Sequence, residues 1–109
     1  KNQGIQFPIS RAYAHMKAAE LMVHYAAEKF DTGVNDGESA NIAKLLAADA
    51  SWMAAEACLQ TFGGFGFAEE YDVERKYRET RLYQVAPIST NMILSYIAEK
   101  ILGMPKSYG

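Results

Sequence analysis

A chain of 109 residues that is half apolar can bury one core, and a formal net charge of -2 without long charged runs argues against nucleic acid as its main partner. No apolar run approaches the roughly 18 residues that suggest a membrane span, and the opening Lys1-Asn2-Gln3-Gly4 lacks both an initiator Met and a signal-peptide layout. The start therefore reads as an internal piece of something longer, and the single cysteine, Cys58, excludes an internal disulfide and fits a reducing, cytoplasmic setting.

Hydrophobic spacing predicts a first helix over residues 4–31, with Met16, Ala19, Val23, Ala26 and Phe30 along its buried face. Pro8 falls either in the first turn of that helix or at a kink in one that begins upstream. Residues 32–37 read as a loop, where Gly33 is placed as a C-terminal cap and Asp36 or Ser39 as the N-cap of the next helix. A second helix is expected over residues 38–62, in which Ala40, Ala43, Ala47, Ala50, Ala54 and Ala57 recur at steps of three and four. So small a seam lets a neighbouring backbone approach closely, while Leu46, Trp52 and Met53 add bulk beside it. Cys58, on the same helix, is expected to be a small buried hydrophobe.

Beyond the glycine-aromatic stretch that follows, Asp72 is placed to cap a third helix over residues 73–85. Glu74 with Arg78 and Arg75 with Glu79 stand at i, i+4 there, exposed pairs that contribute a few tenths of a kcal/mol each. Pro87 stops this helix, and Ser89 or Thr90 caps a fourth in which Ile93, Ile97 and Ile101 stack before Gly103 and Pro105 end it. The expected fold is all-α, an antiparallel up-and-down four-helix bundle forming one unit over residues 1–109.

Metal and thiol chemistry find little support. His15 and His24 are the only histidines, and the two Glu-x-x-His motifs of a di-iron bundle are missing. Cys58 has neither a neighbouring His nor a basic cluster to activate it. The stretch Gln60-Thr61-Phe62-Gly63-Gly64-Phe65-Gly66-Phe67 does not match the dinucleotide fingerprint, and no strand precedes it. On spacing alone it is a glycine-rich interhelical turn, tolerated where the backbone bends sharply or meets something closely.

In one register, however, stand Gln60, Gly63-Gly64, Gly66-Phe67, Glu70-Tyr71, Val73-Glu74-Arg75 and Tyr77-Arg78-Glu79. Ala26-Ala27 and Asp31-Thr32-Gly33 precede them, and the run from Tyr96 to Leu102 follows. Over nearly the whole chain this pattern resembles the C-terminal helical domain of the acyl-CoA dehydrogenase flavoproteins. Asp72 replaces the proline common there, and Glu79 the usual aspartate.

The resemblance implies an enzyme that oxidises acyl-CoA to trans-2-enoyl-CoA with FAD and passes electrons to an electron-transfer flavoprotein-like acceptor. It implies a homo-oligomer, dimer or tetramer, in which Gln60, Thr61, Phe62, Gly63 and Gly64 contact FAD, often across a subunit boundary. Glutamine offers donors and acceptors to ribose or pyrophosphate, and glycines let backbone N–H groups approach phosphate oxygens. A second contact falls on Gln3; Ser89 matches a flavin-side hydroxyl and Asn91 a nearby amide, and both also suit helix capping. The family's catalytic glutamate, which removes the α-proton, falls on Pro87, and proline cannot act as a base. No catalytic residue is thus expected in this chain: some branches carry the base on an earlier helix, which would lie before Lys1, and the isolated segment should be inactive. The competing expectation is a helical interaction module that kept the fold for assembly and lost the chemistry.

Overall fold

The computed structural model describes residues 1–107. Helix α1 (Gln3–Asp31) runs out and α2 (Gly37–Phe62) runs back; two short 3-10 segments, Gly63–Phe67 and Glu69–Tyr71, then lead into α3 (Val73–Val85). Helix α4 (Thr90–Tyr96) follows and is continued by a π turn, Ile97–Ile101. No strand occurs among the described residues. The all-α, up-and-down reading of the sequence is the architecture found.

Local signals explain most helix ends. The Asn2 side chain accepts from the Gly4 N–H at 2.8 Å and opens α1. Pro8 lies inside α1, beyond its first turn, so the Gly4 carbonyl lacks an i+4 donor. At the other end Gly33 takes φ 85°, and the N–H groups of Gly33 and Val34 return to the Phe30 and Lys29 carbonyls. That pair of bonds is a Schellman closure, which needs a left-handed residue where glycine stands. Asp36 caps α2 by accepting from the Ser39 N–H and hydroxyl, both at 3.1 Å. Asp72 corrects the expectation at α3: it stands at φ 60° and makes no cap bond, its carboxylate accepting instead from Arg75 Nε at 3.3 Å.

Helix α2 is the hub, touching α1, α3 and α4. Ala12 and Ala19 of α1 are buried, as are Ala43, Ala50 and Ala57 of the expected seam. Ala40 and Ala54, by contrast, are exposed. Against another side of α2, Trp52 packs on Tyr77 of α3 with ring centroids 4.6 Å apart, and the Arg81 guanidinium lies 5.5 Å over the Trp52 ring. Desolvation there raises the Tyr77 pKa, and its hydrogen bond with Glu56 adds to the rise. Ile93, 1% exposed, anchors α4.

The arrangement is open. Its radius of gyration is 16.6 Å, against about 13 Å for a compact domain of this length. Among the described residues helix α1 packs chiefly on α2, so much of its predicted apolar face stays uncovered: Met16 is 46% exposed, Val23 44% and Phe30 69%. Cys58, expected to be buried, is exposed for the same reason, on the uncovered side of the α1–α2 pair.

Candidate functional site

The antiparallel α1–α2 hairpin brings its first and last residues to one end. A groove of about 650 Å³ there has Phe7, Pro8 and Arg11 on one wall and Trp52, Glu56 and Gln60 on the other. Gln3 lies one helical turn before Phe7, so Gln3 and Gln60 share this end although 57 positions separate them. On the opposite side of the hairpin, Thr61 and Phe62 join Ile9, Tyr13 and Cys58 around an apolar groove of about 370 Å³. The Thr61 hydroxyl donates to the Ala57 carbonyl at 2.7 Å, which leaves its oxygen lone pairs as acceptors.

The glycines between these helices have different roles. Gly63 ends α2 at φ 58° and ψ -136°, a conformation that side chains rarely adopt. Gly66 is buried, and a Cβ there would stand 2.9 Å from the Leu59 carbonyl oxygen. A Cβ at Gly64 would meet no heavy atom within 4 Å. Phe62 and Phe65 brace the turn through Tyr71, at 5.8 and 5.5 Å between ring centroids. The backbone at Gly64 is thus held by its neighbours and is open on its outer side.

The other two predicted positions lie elsewhere. Residues 86–89 connect α3 to α4, and hydrogen bonds tie the end of α3 just before this turn to the first half of α2: the Lys44 ammonium donates to the Tyr83 carbonyl, and Gln84 Nε2 donates to Asp49 Oδ1 at 3.2 Å. The Ser89 hydroxyl accepts from the Met92 N–H at 3.2 Å and caps α4. Asn91 is exposed beside a cavity of about 380 Å³ that Tyr96, Glu99 and Lys100 also line. Asp49 and Gln60 are 11 residues apart on α2, so the point where Gln84 is tied to α2 lies about 16 Å along the helix from Gln60 at 1.5 Å per residue. Gln3 and residues 60–64 gather at one place, Ser89 and Asn91 at another.

Arg11 and Gln84 were not singled out from the sequence. Arg11 continues the i+4 row from Gln3 through Phe7, a signal that was available. Gln84 had no local signal, because its partner Asp49 is 35 positions away. Chemically, the hairpin end offers an amide, a guanidinium, a carboxylate, open space beside Gly64 and apolar walls, a set suited to a ligand with both polar groups and ring systems. Among the described residues there is no cluster of three or more His, Cys, Asp or Glu that could hold a metal, and no helix long and apolar enough to cross a membrane.

The family model described as "Acyl-CoA dehydrogenase, C-terminal domain" matches residues 1–102. The acyl-CoA dehydrogenase FadE12 of Mycobacterium tuberculosis is 38% identical over 109 residues, covering 98% of this chain and 28% of that protein. An acyl-CoA dehydrogenase of Bacillus subtilis is 37% identical over 101 residues, 93% of this chain and 26% of its own length. The cyclohexane-1-carbonyl-CoA dehydrogenase of Geobacter metallireducens is 31% identical over 102 residues, 94% of this chain and 27% of its own. The chain thus spans little more than a quarter of the curated relatives it matches.

Proposed function

The chain belongs to the acyl-CoA dehydrogenase family, and from that premise we propose that it is the C-terminal helical domain of a longer FAD-dependent enzyme. That enzyme oxidises an acyl-CoA thioester to its trans-2-enoyl product. The observation that carries the reading is the family match over residues 1–102.

The hairpin-end residues fit the proposed cofactor. Gln60, with Gln3 one turn before the groove, would hydrogen-bond ribose or pyrophosphate, the open space beside Gly63 and Gly64 would let the cofactor approach without a side-chain clash, and Thr61 and Phe62 would contact it through their side chains. Ser89 and Asn91 would meet the cofactor at the other set. The flavin, when bound, supplies the acceptor for the two electrons leaving the acyl chain. What this chain supplies is binding, orientation and one wall of the site.

Pro87 has no proton-accepting side chain, so the family's usual position supplies no base here, and on the proposed reading the group that removes the α-proton lies upstream of Lys1. The uncovered apolar side of the α1–α2 hairpin supports a homo-oligomer, dimer or tetramer, in which the hairpin end reaches a flavin bound mainly by a neighbouring subunit. Electrons then pass to an electron-transfer flavoprotein-like acceptor in the cytoplasm.

Pro87 also favours a second reading, an assembly module that retains the fold without the reaction. Anaerobic titration of the full-length protein with a panel of acyl-CoA esters, followed by flavin absorbance, tests both. Bleaching by one ester class is the expected result and identifies the substrate. A full-length protein with no flavin would leave the assembly module standing.

A further inference from the structure

We propose that Gln84 is a positioning residue for the turn at 86–89, setting where Ser89 and Asn91 stand relative to α2. The proposal rests on the reading that this turn faces the cofactor.

The turn is short and ends in the cap of α4, so its shape depends on what ties its two sides together. The Ala86 N–H still reaches the Leu82 carbonyl at 2.8 Å, and Ser89 uses its hydroxyl on the Met92 N–H. One hydroxyl spans the turn from Thr90 to Gln84: its single proton is shared between Gln84 Oε1 at 3.3 Å and the Gln84 carbonyl oxygen at 3.4 Å. The same Gln84 amide donates through Nε2 to Asp49 Oδ1 at 3.2 Å. One side chain therefore joins three elements: the end of α3, the first residue of α4 and the middle of α2. Thr90 stands directly between Ser89 and Asn91, so whatever fixes Thr90 also fixes its neighbours. The Lys44 contact with the Tyr83 carbonyl holds the adjacent residue to the same stretch of α2.

Glutamine suits this place because a primary amide donates and accepts at once. Asp49, as a carboxylate, requires a donor, and the Thr90 hydroxyl requires an acceptor. Glutamate at 84 would keep the acceptor and lose the donor, setting two carboxylates against each other. Asparagine at 49 would restore a donor opposite it. The contact can thus be broken and remade with side chains of almost unchanged size.

The test uses the full-length, FAD-loaded enzyme and the ester that reduces it. Gln84→Glu is expected to slow flavin reduction about tenfold, since small misplacements of reacting groups cost up to about a hundredfold, with FAD content and the KM for the ester nearly unchanged. Adding Asp49→Asn to the same protein should bring the rate back to within about threefold of the wild type. Wild-type reduction by Gln84→Glu and Gln84→Ala overturns the proposal while the flavoenzyme reading stands. So does a fall in thermal stability with an unaltered rate, or a loss of folded protein that Asp49→Asn does not repair. A wild-type protein that no ester reduces fails the underlying reading, and the positioning role falls with it.

Discussion

The two turns that flank α3 are built on opposite principles. The turn at Gly63–Phe67 is shaped by backbone conformation and aromatic contacts, and the side of Gly64 where a Cβ would stand is open space. The turn at 86–89, which contains the cis Ala86–Pro87 peptide bond, is tied to its flanks by side-chain hydrogen bonds: Ser89, Thr90 and Gln84 all direct polar atoms at other parts of the chain. A region with open space beside its backbone can admit something it does not itself contain. One whose groups are already engaged holds a shape, and can offer a ligand only the lone pairs and protons left over.

Within the glycine turn the same contrast recurs one residue apart, and substitution separates the two roles. Gly66→Ala should have the largest effect on folding. Its new Cβ would meet the Leu59 carbonyl oxygen at 2.9 Å and Cδ1 at 3.0 Å, and the carbonyl belongs to a helix that cannot easily yield. A loss of about 1–3 kcal/mol is expected, as for other overpacked sites, read as a lower urea midpoint of this chain. Gly64→Val should do the reverse. Stability should stay within about 0.5 kcal/mol, as for an open surface position, while FAD retained by the full-length protein through dialysis falls severalfold. Unchanged FAD occupancy in Gly64→Val would break the comparison, because the open side of the turn would then face only solvent.

Pro87→Ala sharpens the second half of the contrast. If the base lies outside this chain and the turn is held by Gln84 and Thr90, turnover by the full-length enzyme should change by no more than a few fold. Complete loss of activity in a folded, FAD-loaded variant would show that Pro87 itself shapes the reaction site.

The long elements were legible because their signals are local. The three-four spacing of apolar residues, Gly33 at a helix end and Asp36 before the next helix each act within a few positions, and the structure uses them as read. Asp72 misled because its identity suits a cap while its φ of 60° does not let the side chain reach the helix N–H groups. Met16, Val23, Phe30 and Cys58 misled for another reason: periodicity identifies an apolar face but not what covers it, and α1 packs chiefly on α2. At the candidate site, Gln3 and Gln60 could be named from the family pattern, but their meeting at one end is a property of the hairpin. Gln84 was beyond reach, since its importance lies in a contact with Asp49 that no local rule predicts.

The far end of the hairpin provides a control in which polar contacts have a purely structural role, and the smallest of the expected effects. Lys29 pairs with Asp36 across the α1–α2 loop while its ammonium lies 4.8 Å over the Tyr25 ring. The hydrogen bond from Lys29 is the main cause that lowers the Asp36 pKa, and the same bond, seconded by Tyr25, raises that of Lys29. A lowered carboxylate contributes stability above its unfolded pKa and loses it as pH falls through the folded value; a raised ammonium contributes below its unfolded pKa and loses it as pH rises through the folded one. The pair should therefore support the hairpin between about pH 4 and pH 10. Lys29→Met should lower the urea midpoint across that window by less than Gly66→Ala does. The difference from wild type should shrink as pH falls through the lowered folded pKa of Asp36. Asp36 lies 24 positions before Gln60, about 36 Å along α2, so FAD retention by the full-length Lys29→Met protein should match wild type. A loss of flavin there would mean that retention follows the stability of the hairpin as a whole. The decrease expected for Gly64→Val, at a position with open space and little bearing on stability, could then no longer be assigned to contact with the cofactor.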